Sequence, residues 1–377
     1  MGNADSRDAI CIILTLLKKY HPSLFVIEFV IKKRGHTIMN QTPIRFAITG
    51  AGYIAEIHAQ AIQAIDGATL TALVARDTER TQRFAEKFQL SQVYRTVEEL
   101  ISAHSADAVI ICTPNALHAP QALTALKAGL HVMLEKPMGM DAEESHLIFE
   151  TAKQSVGQLM VAHCWRFDEE VNWLKDQVNE GRLGQMIRTK GYGVHANWGP
   201  SGWFSQSQLA GGGALADMGI HAIDTARYLL GDPMPISVYA KIGTHYGNYD
   251  VDDTGIIIIN WEGGCTSYIE SGWWQPHMDG PEASTQLYGT RGFGEVFPTR
   301  LKLCGEGGSV ENRDGGFTHP REIQCPQIMY NRQLAELVQC IYEGRRPTPG
   351  AAEGLVNMQI VDAAYRSSQS GQVELIK

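Results

Sequence analysis

Between residues 44 and 163, short apolar runs alternate with longer segments in which apolar residues recur every three or four positions. Such runs are typical of strands buried on both faces, and the longer segments of amphipathic helices. The predicted strands cover residues 44–49, 70–74, 108–112, 130–134 and 158–163. The predicted helices cover residues 56–65, 78–88, 97–104, 119–128 and 141–155. This alternation predicts a doubly wound parallel α/β sheet.

The pattern changes after a predicted helix at residues 171–180. Segments rich in Ile, Val, Tyr and Thr follow, with turn signals between them, which favours a mainly antiparallel sheet. The predicted strands are residues 186–194, 236–242, 255–261, 265–273 and 283–289, with 292–297 as an extension. Residues 305–316 have the composition of a surface loop. Two helices are predicted at residues 329–343 and 354–368.

A chain of 377 residues favours two domains, and the change of pattern predicts residues 39–163 and 164–377, with the last helix able to pack back on the first domain. The preceding residues 1–38 carry two apolar runs that do not lead naturally into the first strand. Lys18-Lys19 follows the first run without a cleavage site, which argues against a secretory signal. Our hypothesis is that the native chain starts at Met39 and that residues 1–38 are an upstream extension. A peptide from this segment of the native protein would refute it.

Composition narrows the class of protein. Hydrophobic residues make up 44% and charged residues 19%, and the net charge of −9 gives no basic surface for nucleic acid. The seven cysteines are odd in number and show no C-x-x-C spacing, which predicts free thiols in a reducing compartment. Cys112 and Cys164 lie in apolar runs and are predicted core residues. With no apolar stretch of membrane-spanning length, we expect a cytoplasmic protein.

A glycine motif, G-A-G-Y-I-A at residues 50–55, stands between the first strand and the first helix. Gly50 permits the tight turn, Gly52 lets the backbone approach a pyrophosphate, and Ala55 lets helix and strand pack closely. Tyr53 and Ile54 lie at the start of the helix, where backbone N–H groups face the phosphates. The motif has the strand–loop–helix context that dinucleotide binding requires, which an ordinary glycine-rich turn would not need.

The end of the second strand bears on the choice of cofactor. An acidic residue there would accept a hydrogen bond from the ribose of NAD, but this strand ends Val74-Ala75-Arg76-Asp77. Arg76 could pair with a 2′-phosphate and stack on the adenine, so we expect NADP in preference to NAD. The nearby Asp77 leaves NAD open, and Arg76 could also be an ordinary solvated side chain.

Two further segments follow buried strands at the same sheet edge. Thr113, Pro114, Asn115 and His118 lie in the loop after the strand at residues 108–112 and offer polar groups to a cofactor ribose. Glu135-Lys136-Pro137 ends the next strand, where the proline cannot donate a ladder hydrogen bond. Alone, Lys136 would be read as a surface lysine. Its place on the same edge as the glycine motif makes it a candidate catalytic residue.

The segment Gly211–Asp224 combines glycines with polar residues at helical spacing. Gly211, Gly212 and Gly213 precede a predicted helix in which Asp217, His221 and Asp224 share one face. An Asp–His pair one turn apart is a plausible proton-transfer site. Two alternatives stay open: a capping aspartate on a solvated helix, and metal ligands, although no clear third ligand is evident.

Taken together, the motifs resemble the glucose-fructose oxidoreductase / inositol dehydrogenase (Gfo/Idh/MocA) family of NAD(P)-dependent oxidoreductases. The resemblance runs from residue 44 to the carboxyl end. Its marks are the motifs at residues 50–55, 113–118, 135–137 and 211–221 and the closing segments 363–367 and 371–375. The resemblance implies a Rossmann domain and a second α/β domain. In the second domain, one face of an open antiparallel sheet covers the active site, and the other makes a dimer or tetramer interface.

The resemblance also implies roles for particular residues. Lys136 and His221, helped by Asp217, would carry the proton transfer that accompanies hydride transfer. Arg166 and Trp203 match positions that line the cofactor and substrate cleft. Family members that use NADP tend to have Ser-Arg at the end of the second strand, and here the serine is replaced by Ala75. Typical substrates are sugars, inositols and sugar acids.

The hypothesis is therefore reversible oxidation of a secondary alcohol or a hemiacetal. His221 would carry the proton, Lys136 would hold the substrate oxygen or act as base itself, Asp217 would orient His221 or bind a hydroxyl, and Glu135 would brace the Lys136 loop. We expect the substrate pocket to be lined by Trp165, His195, Trp198, Trp203 and Trp273. Two rival functions are a cofactor-binding regulator without turnover and a lyase or glycosidase that uses bound NAD transiently.

Overall fold

The computed structural model describes residues 42–275, 282–305, 309–319 and 325–376. The hypotheses about residues 1–38 and Met39 lie outside the described residues. From Ile44 onward the chain forms one packed unit that contains two sheets. Each sheet is described in turn below.

The first sheet is parallel and has six strands in the order β3-β2-β1-β4-β5-β6. Its elements are β1 (Ile44–Thr49), α1 (Tyr53–Ala64), β2 (Ala68–Val74), α2 (Glu79–Lys87), β3 (Val93–Tyr94), α3 (Val97–Ser102), β4 (Ala108–Ile111), α4 (His118–Lys127), β5 (His131–Leu134), α5 (Ala142–Gln154) and β6 (Leu159–Val161). This is the strand order of a Rossmann sheet. The order in which strands are added to the sheet reverses between β1 and β4, and this switch leaves a crevice for a ligand at their carboxyl ends. The predicted doubly wound fold is confirmed.

Local sequence explains these elements. The residues of β4 and β5 are almost all buried, as expected for strands covered on both faces. Side chains of Thr78, Thr96 and Asp141 accept hydrogen bonds from backbone N–H groups in the first turns of α2, α3 and α5. Gly129, at a φ of 81°, follows α4 and turns the chain into β5.

The second sheet has nine strands in the order β14-β13-β12-β11-β7-β10-β9-β8-β15. The elements of this half are α6 (Glu169–Asn179), β7 (Met186–Val194), α7 (Ser207–Ala210), α8 (Ile220–Leu230), β8 (Pro235–Gly243), β9 (Thr254–Trp261), β10 (Thr266–Gly272), β11 (Ala283–Gly289), β12 (Gly292–Val296), β13 (Arg300–Cys304), β14 (Val310–Asp314), α9 (Gln327–Glu343), α10 (Ala351–Ser370) and β15 (Glu374–Leu375). All neighbouring strands are antiparallel except β7 and β10, which run parallel. The predicted mainly antiparallel sheet is confirmed.

Two local predictions were wrong. Residues 305–316 were predicted as a surface loop, but Val310–Asp314 form the edge strand β14, whose five residues are all exposed. A strand with both faces in water shows no apolar alternation, so the composition concealed it. The predicted continuous helix from Ala214 starts instead with a π-helical turn, Leu215–Gly219, before α8 begins.

Helix α8 lies where the two sheets meet. Core residues of β4, β5, α8 and α10 belong to one apolar cluster, which includes Val109, Leu134, Ile220 and Ile360. Helix α9 is tied to α1 through a hydrogen bond from Gln327 Nε2 to the carbonyl of Ile57. This packing brings the start of α8 to the carboxyl ends of the parallel strands, which is where the candidate site lies.

Among the described residues, no helix is both long enough and apolar enough to cross a membrane. Among the described cysteines, Cys265, Cys304, Cys340 and the buried Cys112 and Cys164 are free thiols.

Candidate active site

A cavity of about 250 Å³ opens at the carboxyl edge of the parallel sheet. Its walls come from the glycine loop, the ends of β4, β5 and β6, the segment before α8, and α9. The lining residues are Tyr53, Ile54, Cys112, Thr113, Asn115, His118, Glu135, Lys136, Pro137, Ala162, Cys164, Trp203, Phe204, Ala210, Gly212, Asp217, His221 and Tyr330. Ten of the residues that the sequence proposed for the site therefore share one cavity, which we call the central cavity.

The glycine loop at the cavity has the backbone geometry that a dinucleotide needs. Gly50 has a φ of 87°, and a Cβ atom there would come within 2.7 Å of the carbonyl oxygen of Cys112. A Cβ atom at Gly52 would meet nothing within 4 Å, so this side of the loop is open to a ligand. No side chain caps the amino terminus of α1. Its free N–H groups fit a pyrophosphate, and the buried Ala55 packs the helix against the sheet.

Lys136 follows β5 and makes two hydrogen bonds across the cavity. Its Nζ donates to the carbonyl oxygen of Asp217 at 2.8 Å and to Asp217 Oδ1 at 2.9 Å. Burial alone would lower the pKa of Lys136, but the adjacent carboxylate of Asp217, with help from Glu135, raises it above its usual value. Lys136 is therefore an ammonium ion at neutral pH, with its head on the cavity wall.

Glu135 braces the same loop from beneath, as the sequence suggested. Its Oε2 accepts a hydrogen bond from the backbone N–H of Lys136 at 3.2 Å, and its Oε1 lies 2.6 Å from Nε2 of the fully buried His58. Burial opposes ionisation of Glu135, yet the contact with His58 brings its pKa below the ordinary value. The Lys136 loop thus rests on a buried carboxylate–histidine pair.

Asp217 lies in the π-helical turn and uses both carboxylate oxygens. Oδ1 faces Lys136, and Oδ2 accepts a hydrogen bond from Nε1 of the buried Trp273 at 3.1 Å. The described contacts of the Asp217 carboxylate are with Lys136, Trp273 and, at 4.0 Å, His195, and not with His221. The wider turn from Leu215 to Gly219 directs the carboxylate toward Lys136, so binding of a substrate hydroxyl is the role of Asp217 that stays a prediction.

His221 lies on the first turn of α8 and lines the central cavity. Its Nδ1 is buried and has no hydrogen-bond partner among the described residues. Burial, reinforced by the positive charge of Lys136, holds the pKa of His221 well below its usual value. The ring is therefore neutral near pH 7 and able to accept a proton.

The glycines before α8 permit close approaches of other chain segments. A Cβ atom at Gly213 would collide with the backbone of Asp252 at 1.8 Å, and one at Gly212 would meet the hydroxyl of Tyr365 at 2.1 Å. The Asp252 carboxylate accepts hydrogen bonds from the backbone N–H groups of Gly213 and Leu215 and from Tyr365. Burial raises the pKa of Asp252 above the usual value. This cradle fixes the turn that carries Asp217.

The polar loop after β4 also turns out to be a brace. Asn115 donates from Nδ2 to the carbonyl of Ala210 at 2.8 Å, which ties the loop to the segment that leads into α8. The ring nitrogens of His118 lie 2.7 Å from the carbonyl of Pro137 and 2.9 Å from that of Thr113. Asn115 and His118 border the cavity while fixing its walls, and Pro114 immediately precedes a single 3₁₀ turn at Asn115–Leu117.

Arg166 and Asp224 are not brought to the cavity. Arg166 is buried and binds the carboxylates of Asp224 and Asp232 through five nitrogen–oxygen contacts of 2.7–3.1 Å. Asn357 completes this group by donating to Asp224 Oδ1 at 2.8 Å. The shared helical face of Asp217 and Asp224 is not observed, because the π-helical turn places the two aspartates in different networks. Arg166 lies outside the lining of the central cavity, and its cofactor role stays a prediction.

Of the other residues predicted for the cofactor and substrate sites, some line the central cavity and others do not. Arg76 is exposed at the end of β2, outside the central cavity. Of the five residues expected to line a substrate pocket, Trp203 does so, stacked on Phe204 with ring centroids 3.8 Å apart. Trp165 is buried against Phe297 in the core. The others, His195, Trp198 and Trp273, lie outside the cavity lining.

The sequence did not point to several residues that line the cavity or support its wall. His58 was hidden in an apolar helix, although a histidine on the buried face of the helix after a glycine motif is itself a signal. Tyr330 reaches the cavity from α9, and its ring meets that of His58 edge-on at 5.7 Å. Cys112 and Cys164 were predicted as core residues; they are buried but also line the cavity. Nothing in the sequence links these distant positions.

Comparison with known proteins places the chain among oxidoreductases. Residues 44–163 match the description "Oxidoreductase family, NAD-binding Rossmann fold", and residues 171–295 match the "GFO/IDH/MocA C-terminal domain". The D-glucoside 3-dehydrogenase of Escherichia coli (strain K12) is 29% identical over 89% of this chain and 99% of its own length.

Two further comparisons extend this result. The NADP(+)-dependent D-xylose 1-dehydrogenase of Haloarcula marismortui is 27% identical over 87% of this chain and 92% of its own length. The structure of levoglucosan dehydrogenase in complex with NADH and L-sorbose superposes with a TM-score of 0.81, covering 89% of this chain and 100% of that one. At 22% identity, that structure supports the fold alone. The chain thus belongs to the Gfo/Idh/MocA family of oxidoreductases with an NAD-binding Rossmann domain.

Proposed function

We propose that this protein is an NAD(P)-dependent dehydrogenase or reductase that acts on a hydroxyl group of a sugar, a polyol or a related compound. The observation that carries the proposal is the Lys136–Asp217 pair in the cavity beside an open glycine loop. The relatives named as D-glucoside and D-xylose dehydrogenases support the substrate class. The stacked Trp203 and Phe204 give the cavity an aromatic wall that suits the C–H face of a sugar ring.

Lys136 is the group that would hold the substrate oxygen. An ammonium head has three N–H donors, and Asp217 receives two of them. The third is available to a hydroxyl or carbonyl oxygen in the cavity. Because the charge on that oxygen becomes more negative as the alcohol loses its proton, the fixed positive charge of Lys136 stabilises the transition state.

His221 is the group that would accept the proton. It is neutral near pH 7, it lines the same cavity, and its buried Nδ1 leaves Nε2 as the nitrogen that can take up a proton. A bound nicotinamide supplies the hydride acceptor for this reaction. In the reverse direction, the protonated ring of His221 returns the proton to the substrate oxygen.

The experiment that tests this proposal is a substrate screen with the full chain. Sugars, inositols and sugar acids are supplied with NAD⁺ and NADP⁺ separately, and the nicotinamide absorbance is followed. We expect stoichiometric reduction with at least one compound. Cofactor binding without any absorbance change would favour a regulator, and product formation without net reduction would favour a lyase or glycosidase that uses bound NAD transiently.

For the cofactor we propose NADP as the preferred form. Arg76 is exposed at the end of β2, and Ala75 supplies no acid that would repel a 2′-phosphate. Replacing Arg76 by Ala should raise the KM for NADP⁺ about tenfold and change that for NAD⁺ little, since one charge-assisted contact is lost. Arg80→Ala, an exposed arginine on α2, is the control. Equal effects on both cofactors would contradict the preference.

We also propose that the protein is a cytoplasmic homodimer or homotetramer that assembles through the outer face of the second sheet. Tyr239, Ile258 and Tyr268 are adjacent across β8, β9 and β10, and Tyr239 and Ile256 are each more than 40% exposed. An apolar face of this kind is typical of an interface. Light scattering should show an oligomer that Ile256→Asp dissociates. Val156→Asp, at an exposed residue outside the sheet, should leave it intact; a monomeric wild type would refute the proposal.

A further inference from the structure

Three residues lie behind Asp217, on the side away from Lys136. His195, Trp198 and Glu282 form what we call the His195 cluster, and none of them lines the central cavity. The mechanism proposed above does not use them.

The second sheet brings the cluster together through its parallel pair of strands. His195 follows the end of β7, and Trp273 follows the end of β10, in register with it. Because β7 and β10 are parallel, both side chains emerge at the same edge. Glu282 directly precedes β11 on the other side of β7, and its carbonyl accepts a hydrogen bond from Val194. Three strand ends therefore converge on Asp217.

His195 is held on several sides. Its ring stacks on Trp198 with centroids 3.5 Å apart, and its Nδ1 lies 3.0 Å from Glu282 Oε1. The same oxygen of Glu282 accepts a hydrogen bond from Trp198 Nε1 at 2.7 Å. The backbone N–H of His195 donates to Gly272 at 2.9 Å. The buried ring consequently has one orientation, with Nε2 directed toward Asp217.

The His195 ring also faces the Asp217 carboxylate. His195 Nε2 lies 4.0 Å from Asp217 Oδ2, the oxygen that also accepts from Trp273, whereas Oδ1 is the oxygen bound to Lys136. We propose that His195, fixed by Glu282 and Trp198, is a positioning residue that keeps the Asp217 carboxylate turned toward Lys136. The proposal deepens the proposed function and rests on it for its kinetic measurement.

The physical reason lies in the two oxygens of the carboxylate. Trp273 and His195 attract Oδ2 from one side while Lys136 attracts Oδ1 from the other, so rotation of the carboxylate breaks both sets of contacts. The Nε2 edge of His195 faces Oδ2 at 4.0 Å in a partly buried site, where electrostatic attraction is stronger than in bulk water. Without His195, Oδ2 keeps only the hydrogen bond from Trp273, so the Asp217 carboxylate turns away from Lys136 more readily.

The test compares two replacements of the histidine. Gln places its amide near the position of Nε2 and can still reach Asp217, whereas Asn is too short to do so but can still reach Glu282. We expect His195→Asn to lower kcat about tenfold with the substrate KM and cofactor Kd unchanged, and His195→Gln to stay within about threefold of the wild type. Glu282→Gln should lower kcat to the same extent as His195→Asn.

A second measurement needs no turnover. The reactivity of Lys136 toward an acylating reagent is followed against pH, with peptide mass spectrometry to locate the product. The apparent pKa of Lys136 should fall in His195→Asn and Glu282→Gln, since Asp217 no longer supports the ammonium ion. The other titratable groups around Lys136 are Glu135, His118, His163, Cys164 and His221, and none of them is changed.

The control is Glu336→Gln. Glu336 is exposed to the same degree as Glu282 and is also paired, with Arg345 at 2.7 Å, but it lies outside the cavity. Glu336→Gln should change neither kcat nor the apparent pKa of Lys136. An unchanged apparent pKa of Lys136 in His195→Asn would overturn the proposal. An equal loss of kcat in His195→Asn and His195→Gln, accompanied by lower thermal stability in both, would also overturn it. If the wild type turns over no sugar, the proposed function fails, and the Lys136 titration still decides the role of His195.

Discussion

Two ion pairs connect the ends of the parallel sheet to the segment that carries α8, and they differ in whether the cation borders the central cavity. The Arg166–Asp224 pair is bidentate and is completed by Asp232 and Asn357. The Lys136–Asp217 pair leaves one ammonium N–H unused and borders the central cavity. A buried cation that two carboxylates enclose away from the cavity serves the fold, whereas a cation that borders the cavity with an N–H to spare is available for chemistry.

The difference also corrects an inference from sequence spacing. Asp217 and Asp224 are seven residues apart, which places them on one face of a regular α-helix. The π-helical turn at Leu215–Gly219 adds a residue to one turn and divides the two aspartates between the two pairs. The comparison can be tested by removing the cation from each pair.

The largest expected effect is on catalysis. Lys136→Met should lower kcat by at least about a thousandfold, about 4 kcal/mol of barrier, because the substrate oxygen loses its charged donor. Binding of NAD(P)H, measured by fluorescence titration, should change little. Lys175→Met is the matched control, since Lys175 also donates to a backbone carbonyl but lies outside the cavity. Ordinary turnover in the Lys136 variant would remove Lys136 from the mechanism.

The next effect is on stability. Arg166→Met should lower the free energy of unfolding in urea by about 3 kcal/mol or more, because it leaves the fully buried Asp224 without its cation, whereas Asp232 keeps Arg227. Arg332→Met breaks the exposed pair with Glu169 and should cost less than about 1 kcal/mol. If Arg166→Met does not fold, Arg166→Lys retains the charge with fewer donors and should show a smaller loss. Equal loss of stability in Arg166→Met and Arg332→Met would show that the Arg166 pair contributes no more to folding than the exposed Arg332–Glu169 pair.

The smallest effect is on the pH dependence of stability. Burial lowers the pKa of His163, which lies within the Arg166 group, below its usual 6.5. Below pH 6.5 the unfolded chain therefore binds a proton that the folded protein does not, and stability falls as the pH falls. His163→Gln should flatten this fall by up to about 1.4 kcal/mol per pH unit in urea titrations between pH 6.5 and 5. An identical slope in His163→Gln and in the exposed control His146→Gln would exclude this contribution.

Much of the fold could be predicted because most of its strands are buried and appear in the sequence as apolar runs. The limits of β1, β7 and β11 agree with the apolar runs in the sequence. Strands β3 and β15 have two residues each, too few to show any period. β14 is exposed on both faces and therefore shows no alternation.

The candidate site shows the same division. Lys136, Asp217 and His221 could be found because each follows a local signal: a strand end, a glycine-rich turn or a helix face. Their partners could not, since Lys136 and Asp217 are 81 positions apart and His58 and Glu135 are 77 apart. Long-range pairs depend on packing, and one sequence carries no direct record of them.

The cradle at Asp252 has a consequence for synthesis of the protein on the ribosome. Tyr365, near the end of α10, hydrogen-bonds to the carboxylate that fixes the turn carrying Asp217. Asn357 of the same helix completes the Arg166 group. A nascent chain that already contains Lys136, Asp217 and His221 still lacks these two supports. Assembly of the site therefore waits for translation of α10, and a message truncated before that helix encodes all three proposed catalytic side chains without the framework that orients them.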